Sequence, residues 1–269
     1  MIKPKYCENW IPSWKIAYVY DQQEVFNEIS VLGYAYAYQN RQKAAFDLIK
    51  KYVVPGGKVL DVAAAQGNFS LLLAEAGYEV TWNDLRGELL DYVKLKYEFG
   101  KLDYAVGDVF ALGYDASFDA VLITEIIEHV AHPDQFLAKI AAMVRPGGHI
   151  IMTTPNGAYF FNTLPRFSDC PDPSRYEAVQ FKPNSDGHIF LLWPDEIKRL
   201  GELSRLKLID QKMFTNLLTN GHLKTKYVLN ILHRSVIFMI ERNMSILPKV
   251  FLNKIMIQTA VCYEKLLSI

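Results

Sequence analysis

Residues 58–84 read KVLDVAAAQGNFSLLLAEAGYEVTWND, and their pattern decides the fold. The apolar run at 58–62 predicts a buried strand, residues 69–77 predict a helix that ends at a glycine, and residues 78–82 predict a second strand. Two strands joined by a crossover helix are parallel neighbours, because parallel strands need a long connection that packs back on the sheet. The stretch therefore predicts a βαβ unit.

The same alternation of strand and helix continues along the chain. Further helices are predicted at residues 24–54 (one helix or two), 87–100, 134–148 and 193–205, and further strands at 102–106, 118–123, 149–154, 206–214 and 259–267. This order predicts an α/β fold with a mostly parallel sheet and helices on both faces. Ligands of such sheets bind at the carboxyl ends of the strands, so functional residues are expected there.

The composition limits the classes of partner. The 29 lysines and arginines balance the 29 aspartates and glutamates, so no bulk positive field holds a phosphate backbone and a nucleic-acid partner is disfavoured. Cys7, Cys170 and Cys262 lie far apart, which fits reduced thiols better than disulfides or a zinc site. Residues 1–10 lack the apolar segment of a signal peptide, and no run of about 18 apolar residues occurs. We therefore expect a cytoplasmic protein without a transmembrane segment.

The turn after the first predicted strand runs from Asp61 to Asn68 and consists mostly of small residues. A dinucleotide-binding turn has the pattern Gly-x-Gly-x-x-Gly, which lets a pyrophosphate approach the backbone. In this chain the three glycine places hold Ala63, Ala65 and Asn68. The turn therefore argues against NAD as the ligand.

The stretch VLDVAAAQGNFS resembles motif I of the class I S-adenosylmethionine (SAM)-dependent methyltransferases, in which an acidic residue precedes a turn of small residues around the methionine part of the cofactor. The resemblance implies that SAM binds at Asp61, Ala63, Ala65, Gly67 and Asn68. Ala63 and Ala65 replace two of the family's usual glycines, and an alanine costs about 1 kcal/mol or more wherever a positive φ is needed. The family also implies a Rossmann-like, seven-stranded sheet whose last strand is reversed.

Two aspartates lie where the family binds the rest of the cofactor. Asp84 ends the second predicted strand, and the resemblance implies that it accepts both ribose hydroxyls. Asp108 follows the third predicted strand and matches the residue that binds the adenine amino group, with Val109 and Phe110 beside the ring. Either aspartate alone could equally cap a helix or form a turn, but the order of the matches along the chain favours the cofactor roles.

Residues 124–130, TEIIEHV, place two glutamates and a histidine after the fourth predicted strand. On a helical turn, Glu125, Glu128 and His129 would share one face, directed toward the substrate side of the cofactor. Their E-x-x-E-H pattern resembles that of the small-RNA 2′-O-methyltransferases and ubiquinone-biosynthesis O-methyltransferases, where it binds a divalent metal. In the RNA enzymes a histidine after a T-P-N segment completes the site, and His188 has the corresponding place here. The resemblance implies a site for Mg²⁺ or Mn²⁺ at Glu125, Glu128, His129 and His188, with Glu125 also near SAM.

Other interpretations of these residues remain open. Glu128, His129 and His188 can serve only to satisfy backbone groups at a helix start and in the following loop. Alternatively, His129 acts as a metal-free general base. Glu128 and His129 are the residues predicted to take part in catalysis. The ligand types do not fix the ion, since carboxylates favour Mg²⁺ or Mn²⁺ and imidazoles favour Fe²⁺, Co²⁺ or Zn²⁺.

Three regions are predicted around these motifs. Residues 1–54 form an N-terminal helical cap, residues 55–214 form the SAM-binding core with a lid loop at 155–190, and residues 215–269 hold a helical insertion and the final strand. The lid is rich in aromatic residues, which suggests a substrate wall: Tyr159, Phe160, Phe161, Phe167, Tyr176 and Phe181.

Within the insertion, residues 227–255 predict a helical pair. Its apolar stripe is expected at Leu229, Leu232, Val236, Met239 and Ile240, with Ile231, Ile237 and Phe238 outside the stripe. Such a wide apolar sector does not suit a helix with one solvated face. Residues 227–256 are therefore expected to pack on the core, on a second copy of the chain or on a lipophilic substrate.

Together these features predict a SAM-dependent methyltransferase that methylates a hydroxyl of a small or sugar-like substrate with the help of a divalent metal. The fold itself does not select among oxygen, nitrogen and carbon acceptors. An RNA 2′-O-methyltransferase is the alternative that His188 favours and the neutral charge opposes. A degenerate, non-catalytic SAM-binding domain is the alternative that Ala63 and Ala65 favour.

Overall fold

The computed structural model describes residues 1–26, 28, 32–180, 187–220, 225–229, 231–244 and 246–267. Its strands are β1 (Lys58–Val62), β2 (Glu79–Asp84), β3 (Lys101–Val106), β4 (Phe118–Thr124), β5 (Val144–Pro155), β6 (Leu206–Asn216) and β7 (Met256–Lys265). They form one sheet in the order β3-β2-β1-β4-β5-β7-β6. Strands β1 to β5 are parallel, and β7 is antiparallel to both of its neighbours. The predicted Rossmann-like sheet with a reversed last strand is confirmed.

The helices lie on both faces of this sheet. They are α1 (Pro12–Glu24), α2 (Leu32–Tyr52), α3 (Asn68–Glu75), α4 (Leu90–Lys96), α5 (Pro133–Met143), α6 (Pro194–Leu203), α7 (Lys226–Leu229), α8 (Arg234–Met244) and α9 (Lys249–Ile255). In β4, Val121 and Ile123 lie in the core formed with α5 and α6. Ala120 and Leu122 lie in the core formed with α2 and α3. Alternate residues of the strand thus serve opposite layers, as the period of a strand requires.

The structure differs from the predicted elements at three places. Helix α1 was not predicted, because Ile16 and Val19 on its exposed side leave no polar face for the sequence pattern to reveal. The helix predicted at 134–148 ends at Met143, and the Pro-Gly-Gly residues that follow form an irregularity in the pairing of β4 with β5. The helix predicted at 87–100 ends at Lys96.

Helix α1 is attached to α4 by a buried ion pair. Lys96 Nζ lies 2.8 Å from Asp21 Oδ2, and both side chains are fully buried. Tyr92 donates to the same oxygen at 2.7 Å, and Asn68 donates to Asp21 Oδ1 at 2.8 Å. Lys96 also donates to Asn68 Oδ1 at 2.6 Å. Burial lowers the pKa of Lys96 and Asp21 opposes that shift, so the charged ammonium depends on its partner.

The described part of the insertion between β6 and β7 contains the three helices α7 to α9 in place of the predicted pair. Leu229 and Ile237 are buried against Tyr36 of α2, so this part of the insertion packs on the core. Met239, assigned to the apolar stripe, is exposed, because residues 231–233 interrupt the helix and change its phase. None of the helices in the described part of the chain has the length and apolar character that crossing a membrane requires.

Replacing Lys96 by alanine leaves the Asp21 carboxylate buried without its counter-ion. We expect the free energy of unfolding to fall by about 3–5 kcal/mol, because the desolvation of Asp21 is then uncompensated. The matched control is Lys94→Ala on the same helix, whose partner Asp91 is exposed, and there we expect a change within about 0.5 kcal/mol. Equilibrium urea denaturation measures both changes. Equal losses for the two variants would contradict the importance of the buried pair.

Candidate active site

The turn after β1 is left-handed at three alternate residues. Ala63, Ala65 and Gly67 have φ values of 52°, 48° and 74°, so the condition under which the two alanines cost free energy is met. Three hydrogen bonds hold the turn on β2, and in the first of them Ala64 N donates to Asn83 O at 2.8 Å. Ala65 N donates to Asp84 Oδ2 at 2.8 Å, and Trp82 Nε1 donates to Ala65 O at 3.0 Å. The turn is therefore fixed while Ala63 stays exposed and Ala65 half-exposed to a ligand.

Asp61 lies inside the sheet layer, against the start of α3. Ser70 Oγ donates to Asp61 Oδ2 at 2.6 Å, and Oδ1 has no hydrogen-bond partner among the described residues. Burial raises the pKa of Asp61 to about 7. The side chain is thus bound to α3, and its contact with SAM stays a prediction.

Gly67 and Asn68 face the packed helices. A Cβ on Gly67 would lie 2.8 Å from a methyl group of Val93, so the glycine is needed for packing as well as for its φ. Asn68 is buried in the ion-pair network of α1 and also donates to Glu24 Oε2 at 3.2 Å. Gln66 donates to the same oxygen at 2.9 Å. Because these hydrogen bonds occupy the side-chain amide of Asn68, its predicted contact with SAM would have to come from its backbone.

The two cofactor aspartates differ in their surroundings. Asp84 is buried at the end of β2, where Arg86 N and Nε donate to Oδ1 at 2.9 and 3.0 Å. Asp108 is exposed and caps the short 3₁₀-helix Val109–Ala111 by accepting from Phe110 N at 3.0 Å. The capping alternative is thus realised for Asp108. The contacts of Asp84 with the ribose, and of Asp108 and Val109 with the adenine, stay predictions.

The corner after β4 is not the α-helical turn that the sequence predicts. Glu125 has a φ of 53°, and a 3₁₀-helix spans Ile127–His129. Glu125 N still donates to Thr153 O at 2.9 Å, so the chain stays paired with β5 while it turns. The expected common helical face of the two glutamates and the histidine is therefore wrong, since a 3₁₀-turn has a different spacing.

Glu128 is fully buried beneath this corner. Thr154 Oγ1 donates to Glu128 Oε2 at 3.0 Å, whereas Oε1 has no partner in the described part of the chain. Burial raises the pKa of Glu128 well above its ordinary value, and the neighbouring charge of Glu125 adds to the shift. The Glu128 backbone also holds the end of the lid, because Ile189 N donates to its carbonyl oxygen at 2.7 Å.

Three of the four predicted metal ligands meet at this point. Potential ligand atoms of Glu128, His129 and His188 all lie within 4.8 Å of one another. The two imidazole rings are 4.9 Å apart, and His129 Nδ1 lies 3.3 Å from Gly187 O. A third histidine of the region, His132, instead lies 2.8 Å from the lid carboxylate Glu177. His188 thus lies beside the corner after β4, and its predicted role as a metal ligand stays a prediction.

The fourth predicted ligand, Glu125, lies outside this three-residue cluster. Its carboxylate accepts from Thr153 Oγ1 at 2.9 Å and from Gln258 Nε2 at 3.0 Å, and Arg41 Nη1 lies 3.4 Å away. Sequence reasoning missed Gln258 and Arg41, because they come from β7 and α2 and no local motif marks them. To bind a metal ion, the Glu125 carboxylate would have to give up its ion pair with Arg41.

A cleft of about 530 Å³ adjoins the cluster. It is lined by Tyr34, Glu125, Pro155, Asn156, Tyr159, Phe161, Asn162, Thr163, Leu164, His188, Leu191, Asn220, Ile257 and Gln258. Of the lid aromatics, Tyr159 and Phe161 line the cleft, whereas Phe167 and Tyr176 pack on Phe190. Phe181 lies outside the described residues. The cleft thus offers a mixed aromatic and amide wall to a small ligand.

Comparison with known proteins matches residues 60–152 to the family described as the methyltransferase domain. A ubiquinone biosynthesis O-methyltransferase of Coxiella burnetii is 30% identical over 176 residues, which span 60% of this chain and 68% of the relative. A protein of the same name from Aromatoleum aromaticum is 38% identical over 116 residues, spanning 40% of this chain and 50% of the relative. The family match contains the turn, Asp84, Asp108 and Glu128 but ends before His188.

Two solved structures with a similar fold are named as methyltransferases. A 1,6-didemethyltoxoflavin-N1-methyltransferase of Burkholderia thailandensis gives a TM-score of 0.53 at 14% identity, over 98% of this chain and 94% of that one. A SAM dependent methyltransferase of Archaeoglobus fulgidus gives 0.53 at 17% identity, over 93% and 99% of the two chains. At these identities the similarity shows a common fold alone.

Replacing Ala63 and Ala65 by glycine removes two methyl groups from left-handed positions. We expect Ala63→Gly/Ala65→Gly to raise the free energy of unfolding by about 1 kcal/mol, because the relief of strain exceeds the added chain entropy. The matched control is Ala64→Gly, in the same turn but without a positive φ, where we expect a loss of about 0.5–1 kcal/mol. Urea denaturation measures both changes. A double variant that is no more stable than the wild type would contradict the strain in this turn.

Proposed function

The chain belongs to the class I SAM-dependent methyltransferases, and from this premise we propose that it methylates a hydroxyl oxygen of a small or sugar-like molecule. As an enzyme of this class it is not the degenerate, non-catalytic domain considered from the sequence. The names of the two relatives, both O-methyltransferases, support an oxygen acceptor. The size of the cleft and the neutral charge of the chain support a small acceptor over RNA.

The residues implied for SAM follow the order of neighbouring strands. Asp108 follows β3, Asp84 ends β2, the turn at 63–67 follows β1, and Glu125 follows β4. Because neighbouring strands lie about 4.8 Å apart, these positions form a row along the carboxyl edge of the sheet. The row supports adenine at Asp108, ribose at Asp84, the methionine part at the turn and the acceptor beside Glu125.

The residues at the centre of the row fit the cofactor. The turn combines small, accessible side chains with a backbone fixed by Ala65 N–H, and the Asp84 carboxylate beside it accepts from the exposed Arg86 side chain. Ribose hydroxyls can replace Arg86 there as hydrogen-bond donors. SAM supplies a methyl group on a positively charged sulfur. The chain's own task is to align the acceptor oxygen with that methyl group and to exclude water, which Tyr159 and Phe161 of the lid can do.

We further propose that Glu128, His129 and His188 hold a divalent cation at the acceptor end of this row. The observation that carries this proposal is the fully buried Glu128. One of its oxygens, Oε1, has no partner among the described residues, and its carboxylate lies in a cluster with two imidazoles. One carboxylate and two imidazoles favour Mn²⁺ over Mg²⁺, because nitrogen ligands suit the later metals. Such a cation orients neighbouring oxygens and lowers the pKa of a bound hydroxyl.

The cation proposal is tested first by binding. After exhaustive chelation, we expect the wild type to bind one Mn²⁺ ion per chain in a calorimetric titration. Glu128→Gln and His129→Gln should weaken Mn²⁺ binding by more than about tenfold. Removing a residue that only hydrogen-bonds to a metal ligand already weakens metal affinity by about that factor. The matched control is His132→Gln, because His132 lies near the cluster and contacts Glu177 instead. Equal Mn²⁺ affinity in all four proteins would contradict the site.

Activity then separates the cation from a metal-free base. With catechol as a probe that has two adjacent hydroxyls, we expect S-adenosylhomocysteine formation to stop in chelator and to return when Mn²⁺ is added. Mass spectrometry of the product identifies the methylated atom. If the wild type stays fully active in chelator and His129→Gln is inactive, the result would instead support His129 as a metal-free general base. Methylation of a short RNA, with none of catechol, would contradict the small-molecule acceptor.

A further inference from the structure

Helices α8 and α9 and the loops that precede them expose large apolar side chains on neighbouring segments. Ile231, Ile246, Val250 and Phe251 are 86%, 78%, 75% and 62% exposed. Single exposed apolar residues are ordinary on protein surfaces, but clusters of them mark interaction sites. The insertion buries its other side against α2 through Leu229 and Ile237. It is therefore packed on the core and apolar toward solvent at the same time.

This exposed surface continues to the mouth of the cleft. Phe160 N donates to Lys254 O at 3.1 Å, which fixes the start of the lid beside the end of α9. The rings of Phe160 and Phe161 are 4.0 Å apart, and both are half exposed. Phe161 also lines the cleft that contains Glu125 and His188. An apolar partner on α9 would therefore lie next to the entrance of the cleft.

The charge of the insertion is strongly positive although the whole chain is neutral. Residues 226–255 contain five lysines and arginines and one acid, Glu241. That acid is directed inward, because Asn216 N donates to Glu241 Oε1 at 3.2 Å and Thr219 Oγ1 donates to the same oxygen. Lys249 and Lys254 lie exposed at the two ends of α9, on either side of Val250 and Phe251. The segment thus combines exposed cations with exposed apolar side chains.

We propose that the apolar and basic face, formed by residues 246–254 together with Phe160 and Phe161, docks on a lipid surface rich in anionic headgroups. Helices that lie in a membrane interface combine apolar residues with lysine and arginine, and each cation near an anionic bilayer adds to the affinity. A second copy of the chain fits less well, because it would bring the same positive charge against this face. Docking in this way places the entrance of the cleft at the bilayer surface.

Flotation with vesicles tests this proposal on the full chain. We expect the wild type to float with vesicles of phosphatidylcholine and phosphatidylglycerol, to float less with phosphatidylcholine alone, and to be released by high salt, which screens the cations. Val250→Asp/Phe251→Asp should abolish flotation. Lys249→Gln should weaken binding to the anionic vesicles by about fivefold, the contribution of one cation near the surface. Leu203→Asp and Lys198→Gln on α6 are the matched controls, because both side chains are exposed and neither residue belongs to this face.

Several outcomes would overturn the proposal. Absence of flotation with the anionic vesicles would do so, as would flotation that is equal for the wild type and Val250→Asp/Phe251→Asp. A dimer in analytical ultracentrifugation that the double variant converts to monomers, with no vesicle binding, would assign the face to a second copy of the chain. Because Val250 and Phe251 are exposed, the double variant should keep the wild-type melting temperature and far-UV circular dichroism.

Discussion

The candidate site depends on a left-handed turn that is held by its neighbours. Residues 63–67 contain two alanines at positive φ, a conformation that an isolated chain avoids. The turn persists because Ala65 N–H is bound to Asp84 of the next strand and the Ala65 carbonyl is bound to Trp82. The same Asp84 carboxylate is the proposed ribose acceptor. One residue therefore sets the shape of the cofactor turn and supplies the next contact in the row along the sheet edge.

The corner after β4 repeats this arrangement at the neighbouring strand. Glu125 also has a positive φ. Glu128 of the same corner is buried, as is Asp61 before the first turn. Burial raises the pKa of both carboxyl groups, and each has one oxygen without a partner among the described residues. Such groups cost stability when they stand alone. Their occurrence at two adjacent strand ends is typical of a functional site, where ligands complete the hydrogen bonding.

The sequence predicted the parallel strands and the acids at their ends, because buried strands and turns of small residues have local patterns. It did not predict α1, whose apolar residues are spread around the helix, nor the 3₁₀-turn at Ile127–His129, which depends on pairing with β5. Arg41 and Gln258 reach Glu125 from α2 and β7, so tertiary contacts alone reveal them. His188 lies beside Glu128 and His129, and a family motif marked this histidine in the sequence, whereas its role as a metal ligand stays a prediction.

The central claim is that SAM binds along the carboxyl edge of the sheet with its ribose on Asp84. Calorimetric titration of S-adenosylhomocysteine into Asp84→Asn tests it most directly, because the asparagine oxygen can still accept from Ala65 N–H and keep the turn. We expect affinity to fall by about 10- to 100-fold, or roughly 1.5–3 kcal/mol, for the loss of a charged acceptor. Asp103→Asn, at an exposed position on β3, should bind as the wild type does. Unchanged affinity in Asp84→Asn would contradict the account.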